Sequence, residues 1–146
     1  DLSWMRYNYP GSTPDIGFIE YGLLVGYDFD VAQFTFGVHY SPNFFANSGT
    51  AWYKQLLATV PLPFIKLHED IAFKLFGSIG NQYVANNVNY GISSNNYWDW
   101  QAGLTMTAFT VDFSVSYVGT SVNAYQNCGN TMNCASRALF MVSKTF

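Results

Sequence analysis

The feature that most constrains this chain is a strict two-residue alternation of apolar and polar side chains. In Phe109–Tyr117 the odd positions are Phe, Val, Phe, Val and Tyr, whereas the even positions are Thr, Asp, Ser and Ser. A period of two places successive side chains on opposite faces of a β-strand. The pattern therefore predicts strands that have one apolar face and one polar face.

The same alternation predicts eight strands, with short and long connections in turn. The segments are Ser3–Tyr9, Ile16–Phe29, Val31–Tyr40, Ala51–Val60, Ile71–Tyr83, Tyr97–Thr107, Phe109–Tyr117 and Arg137–Phe146. The connections at 28–30 and 107–108 are short, whereas those at 41–50, 84–97 and 119–136 are long and rich in Asn, Ser and Gly. The proline-containing connection 60–70 is an exception, since it predicts a long turn on the short-turn side. Short turns at one rim and long loops at the other are typical of outer-membrane barrels.

Composition argues against a water-soluble surface. Charged residues make up 10% of the chain, against roughly 25% in soluble domains, and aromatic residues make up 19%. The sequence contains no run of about 18 apolar residues, so it predicts no transmembrane helix. Because lipid offers no partner to an open sheet edge, we predict an all-β, antiparallel transmembrane β-barrel with at least eight strands, in one domain over 1–146. A soluble β-sandwich or lipocalin-like binder is the alternative. The sequence has no cluster of Lys and Arg residues that would indicate nucleic-acid binding.

Aromatic side chains on the predicted outward faces fall toward both rims, as expected for rings at the two lipid–water boundaries. The outer girdle is Tyr40, Trp52, Trp98, Trp100 and Tyr117, and the inner girdle is Tyr27, Phe29, Phe109 and Phe146. A terminal aromatic on an alternating strand also resembles the sorting signal of bacterial outer-membrane barrels. Phe146 is therefore a predicted assembly signal, and the expected partners are outer-membrane lipid and the barrel-assembly machinery.

Five short motifs occur in an order that resembles one protein family. They are Tyr7–Gly11, Tyr40–Phe45, Val60–Pro63, Trp98–Gly103 and Val142–Phe146. Together they resemble the TorF family of porin-like proteins, over essentially the whole chain. The resemblance implies a β-barrel of the Gram-negative outer membrane, with no catalytic residues and no cofactor. Family members carry further strands before the Tyr-Pro-Gly segment, which leaves the total number of strands open, and the cysteine loop is not part of the family pattern.

The polar faces of the strands supply a predicted lumen. Its lumen-facing polar residues are Arg6, Glu20, Gln33, His39, Gln55, Lys74, Asp99, Gln101, Asp112 and Arg137. In a water-filled lumen these charges would set ion preference. Alternatively they pair across the bore and plug it, because eight strands enclose little more than their own side chains. The predicted function is passive diffusion of small hydrophilic solutes. The alternative is a closed structural or adhesive barrel that acts through its external loops or within a larger surface assembly. The sequence does not decide whether the barrel forms a homo-oligomer.

No catalytic or metal site is predicted. His39 and Ser41 share a face but lie about 6.6 Å apart along a strand, which is too far for a nucleophile and its base. His68 lies beside Glu69 and Asp70, in what we interpret as a solvated acidic turn. Cys128 and Cys134 form a close pair in a polar loop, which favours a disulfide over free thiols or a metal site.

Overall fold

The fold is a single antiparallel sheet of eight strands. The structure is a computed structural model that describes residues 1–123, 127–128 and 131–144. The strands are β1 Leu2–Tyr7, β2 Phe18–Asp28, β3 Gln33–Ser41, β4 Ala51–Pro61, β5 Ile71–Val84, β6 Asn96–Ala108, β7 Val111–Thr120 and β8 Arg137–Lys144. Each strand pairs with its neighbours in chain order. The predicted all-β antiparallel fold is confirmed, and every predicted segment overlaps an observed strand.

Short helical turns occur in the connection between β3 and β4 and in the connection between β5 and β6. One is a 3-10 helix at Phe45–Asn47, and the other is α1 at Asn87–Tyr90. Within the described part of the chain, no helix is both long and apolar enough to cross a membrane.

The tight turn between β6 and β7 lies at Phe109 and Thr110, so its prediction at residues 107–108 is wrong by two residues. Ala108 still pairs with Val111 in the ladder. Both turn residues have positive φ, 52° and 87°, as a two-residue hairpin of the type I′ kind requires. Neither is the Gly or Asn that usually marks such a turn, and the alternation of side chains therefore predicts a strand that begins at Phe109.

Burial is inverted relative to a soluble protein. The register aligns polar side chains on one face, where Thr105 and Ser116 are 4% and 8% exposed. On the opposite face Val25 and Tyr117 are 57% and 56% exposed. Ala51 and Val84 are the only hydrophobic side chains buried in the described ranges. A contiguous exposed apolar face of this kind marks a surface that contacts something other than water.

The two outer strands leave the sheet open. β1 and β8 are the first and last strands in the order, and no described residue pairs one with the other. β8 is exposed at every position, with Leu139 and Met141 on one face and Phe140 and Val142 on the other. Since the chain alternates direction at each strand, β1 and β8 run antiparallel to each other. Because no described residue pairs β1 with β8, the described sheet is not closed into a barrel.

Candidate functional site

The polar face curves around a cavity of about 800 Å³ at the end of the sheet that carries the long loops. Its walls are Met5, Tyr7, Glu20, His39, Tyr53, Gln55, Gln82, Tyr97, Asp99 and Thr120, and its loop cover is Tyr90, Ile92, Val122, Asn127, Cys128 and Cys134. Because the wall residues come from all of β1 to β7, the sheet must curl toward this face. The volume falls within the range of small-molecule sites.

One side of the cavity is a chain of three hydrogen-bonded side chains. His39 Nδ1 lies 3.2 Å from Glu20 Oε1, and Gln55 Nε2 lies 3.4 Å from His39 Nε2. These contacts hold His39 between the Glu20 carboxylate and the Gln55 amide.

The other side is built from Tyr53 and Asp99, which reach each other across the intervening strand. The Tyr53 hydroxyl donates to Asp99 Oδ1 over 3.1 Å. The phenol passes over Gly80, where an added Cβ would overlap the hydroxyl and lie 2.7 Å from Asp99 Oδ2. The absence of a side chain at Gly80 is thus what lets β4 and β6 interact over β5.

Toward the short-turn end the polar face is a hydrogen-bonded wall. Lys74 Nζ lies 3.5 Å from Asp112 Oδ2, and the Thr107 hydroxyl donates to Asp112 Oδ1 over 2.5 Å. Gln101 donates to Ser116 over 3.0 Å. These contacts satisfy the polar groups pairwise along β5, β6 and β7.

The predicted lumen residues thus fall into separate groups. Glu20, His39, Gln55 and Asp99 line the cavity. Lys74, Gln101 and Asp112 form the wall below it, and Gln33 donates to Asp28 over 2.7 Å near the short-turn end. Arg137 lies in register with Val118, but its guanidinium donates to the carbonyls of Met132 and Ala135 in the loop before β8.

Arg6 is a correction to the predicted set. It pairs with Ile19, whereas its neighbour Met5 pairs with Glu20. Directly opposed residues share a face, so Arg6 lies on the apolar face with Trp4. Its position one residue from the end of β1 lets a long, charged side chain reach the rim.

Sequence reasoning overlooked the tyrosines of the cavity. Tyr53 lies two residues before Gln55, and Tyr97 lies two residues before Asp99. Because residues two positions apart in a strand point to the same face, both tyrosines lie on the polar face. The Tyr90 and Tyr97 hydroxyls lie 3.5 Å apart and join the loop cover to the wall. This two-residue spacing was the available signal, but neither tyrosine is among the predicted lumen residues.

The apolar face carries a row of aromatic residues near the long-loop end. The register aligns Trp4, Tyr21, Tyr40, Trp52 and Tyr83 directly across β1 to β5. Of the predicted outer girdle, Tyr40 and Trp52 belong to this row, and Trp98, Trp100 and Tyr117 lie on the same face of β6 and β7. Trp4, Tyr21 and Tyr83 were missed, because the alignment depends on a register that no single strand reveals.

A second aromatic group lies at the short-turn end. The Tyr27 and Phe29 ring centroids are 4.5 Å apart, and those of Phe29 and Phe34 are 5.9 Å apart. Phe109, now placed in the hairpin turn, lies 6.0 Å from the His68 ring. Phe146, predicted both as a girdle residue and as the assembly signal, lies outside the described residues.

The cysteine pair forms a disulfide between Cys128 and Cys134, as predicted. Both residues contribute to the loop cover of the cavity. The bond therefore constrains the loop between β7 and β8 where that loop overlies the polar face.

Neither of the considered reactive sites is assembled in the structure. His39 is engaged by Glu20 and Gln55, and the buried Ser41 hydroxyl makes no hydrogen bond. His68 Nδ1 lies 3.6 Å from Asp70 Oδ2 in an exposed turn. Among the residues that can be described, no three His, Cys, Asp or Glu side chains converge as a metal site would require.

Fold and site together define an all-β protein with a single antiparallel sheet, whose polar face is covered and whose apolar face is exposed. Comparison with known families places it more narrowly. The model of the family described as "Bacterial protein of unknown function (Gcw_chp)" matches residues 1–146, and the chain belongs to that family. No curated protein and no solved structure matches the chain.

Proposed function

We propose that this chain forms the wall of a porin-like β-barrel channel in the Gram-negative outer membrane, for passive diffusion of small hydrophilic solutes. The observation that carries the proposal is the inverted sheet, with its hydrogen-bonded polar face inside the curve and its apolar face exposed. A soluble sandwich buries its apolar faces against each other, whereas a membrane barrel presents them to lipid. The TorF resemblance of the ordered motifs agrees with this proposal.

The distribution of side chains on the apolar face supports a membrane location. Two aromatic groups flank a zone that includes Leu23, Val25, Val38 and Leu56. Tyr and Trp are enriched at lipid–water boundaries, and aliphatic side chains fill the hydrocarbon between them. The aromatic groups would then mark the two boundaries of the outer membrane.

A membrane location requires that the open edges find partners. Unpaired backbone N–H and C=O groups in hydrocarbon cost several kcal/mol each. In the proposed barrel the free edges of β1 and β8 are therefore paired, either with each other, as their antiparallel directions allow, or with further strands.

Ion conduction tests the channel directly. The full chain is reconstituted in a planar lipid bilayer, and the reversal potential is measured across a salt gradient. We expect Glu20→Gln to reduce cation preference and Lys74→Gln to increase it, since the two residues carry opposite charges on the polar face. Glu69→Gln, in the turn between β4 and β5, removes a charge outside the cavity and serves as the control.

Opposite shifts for Glu20→Gln and Lys74→Gln, with no shift for Glu69→Gln, would support a water-filled bore. A silent bilayer with protein demonstrably inserted would contradict the channel. The loop cover, which places Tyr90, Ile92 and the Cys128–Cys134 disulfide over the cavity, then favours the second candidate, a closed structural or adhesive barrel. In that case a loop deletion should abolish partner binding and leave membrane insertion intact.

A further inference from the structure

We infer that the cavity is a binding site for a small organic cation with a methylated or otherwise bulky ammonium group. As a statement about the transported solute, the inference rests on the proposed channel. Binding itself needs only the folded chain and can be measured without conduction.

The first argument is the charge of the lining. Glu20 and Asp99 bring two carboxylates to one cavity, and no Lys or Arg of the described ranges lines it. Glu20 contacts His39, so Asp99 is the carboxylate that the argument uses. Asp99 is half-buried and accepts a hydrogen bond from the neutral Tyr53 hydroxyl, and no basic side chain in the part of the chain described forms an ion pair with it. A partly buried carboxylate is costly unless a positive charge or hydrogen-bond donors compensate it. A cationic ligand would supply that charge.

The second argument is the aromatic lining. Tyr53 lies between Asp99 and His39. Its hydroxyl donates to Asp99, and its ring centroid lies 6.1 Å from that of His39. Tyr97 lies two residues before Asp99 on the same face, and its hydroxyl meets that of Tyr90 from the loop cover. Aromatic faces beside a carboxylate are the usual surroundings of quaternary ammonium groups in proteins.

The third argument excludes other ligand classes for a cavity of about 800 Å³. Divalent cations need several converging oxygen ligands, and no three His, Cys, Asp or Glu side chains of the described residues converge as a metal site. A neutral sugar would fill the space but leave Asp99 without an opposite charge. An organic cation satisfies the volume, the carboxylates and the tyrosine rings together.

Choline is a suitable probe, because its neutral carbon isostere, dimethylbutanol, has the same shape without the charge. Both are titrated into the full chain in detergent by calorimetry. We expect choline to bind at least about tenfold more tightly than dimethylbutanol, since one favourable charge contact of about 1.4 kcal/mol is a factor of ten. Equal binding of the two compounds would overturn the inference, as would binding of neutral glucose in preference to choline.

Variants locate the site. Asp99→Asn keeps an oxygen that can accept from Tyr53 and should weaken choline binding about tenfold or more. Asp112→Asn, on the same face but paired with Lys74, should leave affinity within about twofold. Tyr97→Leu should weaken binding about threefold or more, whereas Tyr97→Phe, which retains the ring, should not. Unchanged affinity in Asp99→Asn would contradict the site.

The two proposals fail separately. Should Asp99→Asn not fold, as judged by circular dichroism, the comparison of choline with dimethylbutanol on the unmodified chain still decides. Choline binding in a chain that conducts no ions would support the site and reject the channel. Conduction without preferential choline binding would reject the site alone.

Discussion

Val115→Arg is expected to destabilise the inserted sheet by about 2–4 kcal/mol in lipid, the largest single effect that we predict. Val115 lies on the apolar face between Leu104 and Phe140 in the register and is 42% exposed. In the proposed barrel that exposed surface faces hydrocarbon, so a guanidinium there loses its hydration. The measurement is the denaturant midpoint of the chain refolded into lipid vesicles.

The control uses the same substitution at an exposed valine outside the sheet. Val88 lies in α1 within the connection between β5 and β6 and is 78% exposed. We expect Val88→Arg to change stability by no more than about 0.5 kcal/mol, as surface substitutions usually do. If the apolar face contacts water instead of lipid, Val115→Arg should be as harmless as Val88→Arg, and that result would contradict the membrane proposal.

Gly80→Ala is expected to destabilise the fold by about 1–3 kcal/mol, because the added methyl group would occupy the space of the Tyr53 hydroxyl and the Asp99 carboxylate. The shift of Tyr53 would break the hydrogen bond between β4 and β6 and narrow the cavity. The measurement is the urea unfolding midpoint of the variant in detergent.

Gly26→Ala is the matched substitution on the same polar face. A Cβ at Gly26 would lie 3.4 Å from Thr35 Oγ1, which is ordinary van der Waals contact. We expect no loss there and a gain of up to about 1 kcal/mol, since alanine restricts the unfolded chain more than glycine does. Equal losses in both variants would show that glycine is needed for strand conformation in general, and not for the passage of Tyr53.

Much of the fold could be predicted from periodicity alone, because a two-residue period determines both that a segment is a strand and which of its residues share a face. The eight strands followed from that rule. Periodicity does not determine how strands align with one another. The row formed by Trp4, Tyr21 and their partners therefore emerged only from the register, and so did the contact of Tyr53 with Asp99 across Gly80.

The errors arose where residue type and position disagreed. Arg6 was assigned to the polar face by its charge, although its alternation with Trp4 gives it the parity of the apolar face. Phe109 was assigned to a strand by its hydrophobicity, although its positive φ places it in a turn. Tyr53 and Tyr97 have polar-face parity, and their hydroxyl groups make that location favourable. In an inverted sheet, the position of a residue in the alternation along its strand is thus a better guide to the face that it occupies than its hydrophobicity.

The disulfide between Cys128 and Cys134 has a consequence for topology. Because the bond lies in the loop cover at the long-loop end, it distinguishes that end of the sheet chemically from the short-turn end. A reductant that cannot cross a membrane, followed by a thiol-reactive dye, would label these sulfurs in intact cells only when the long loops face the medium. The same two sulfurs that close a loop thus provide a covalent reporter of sidedness.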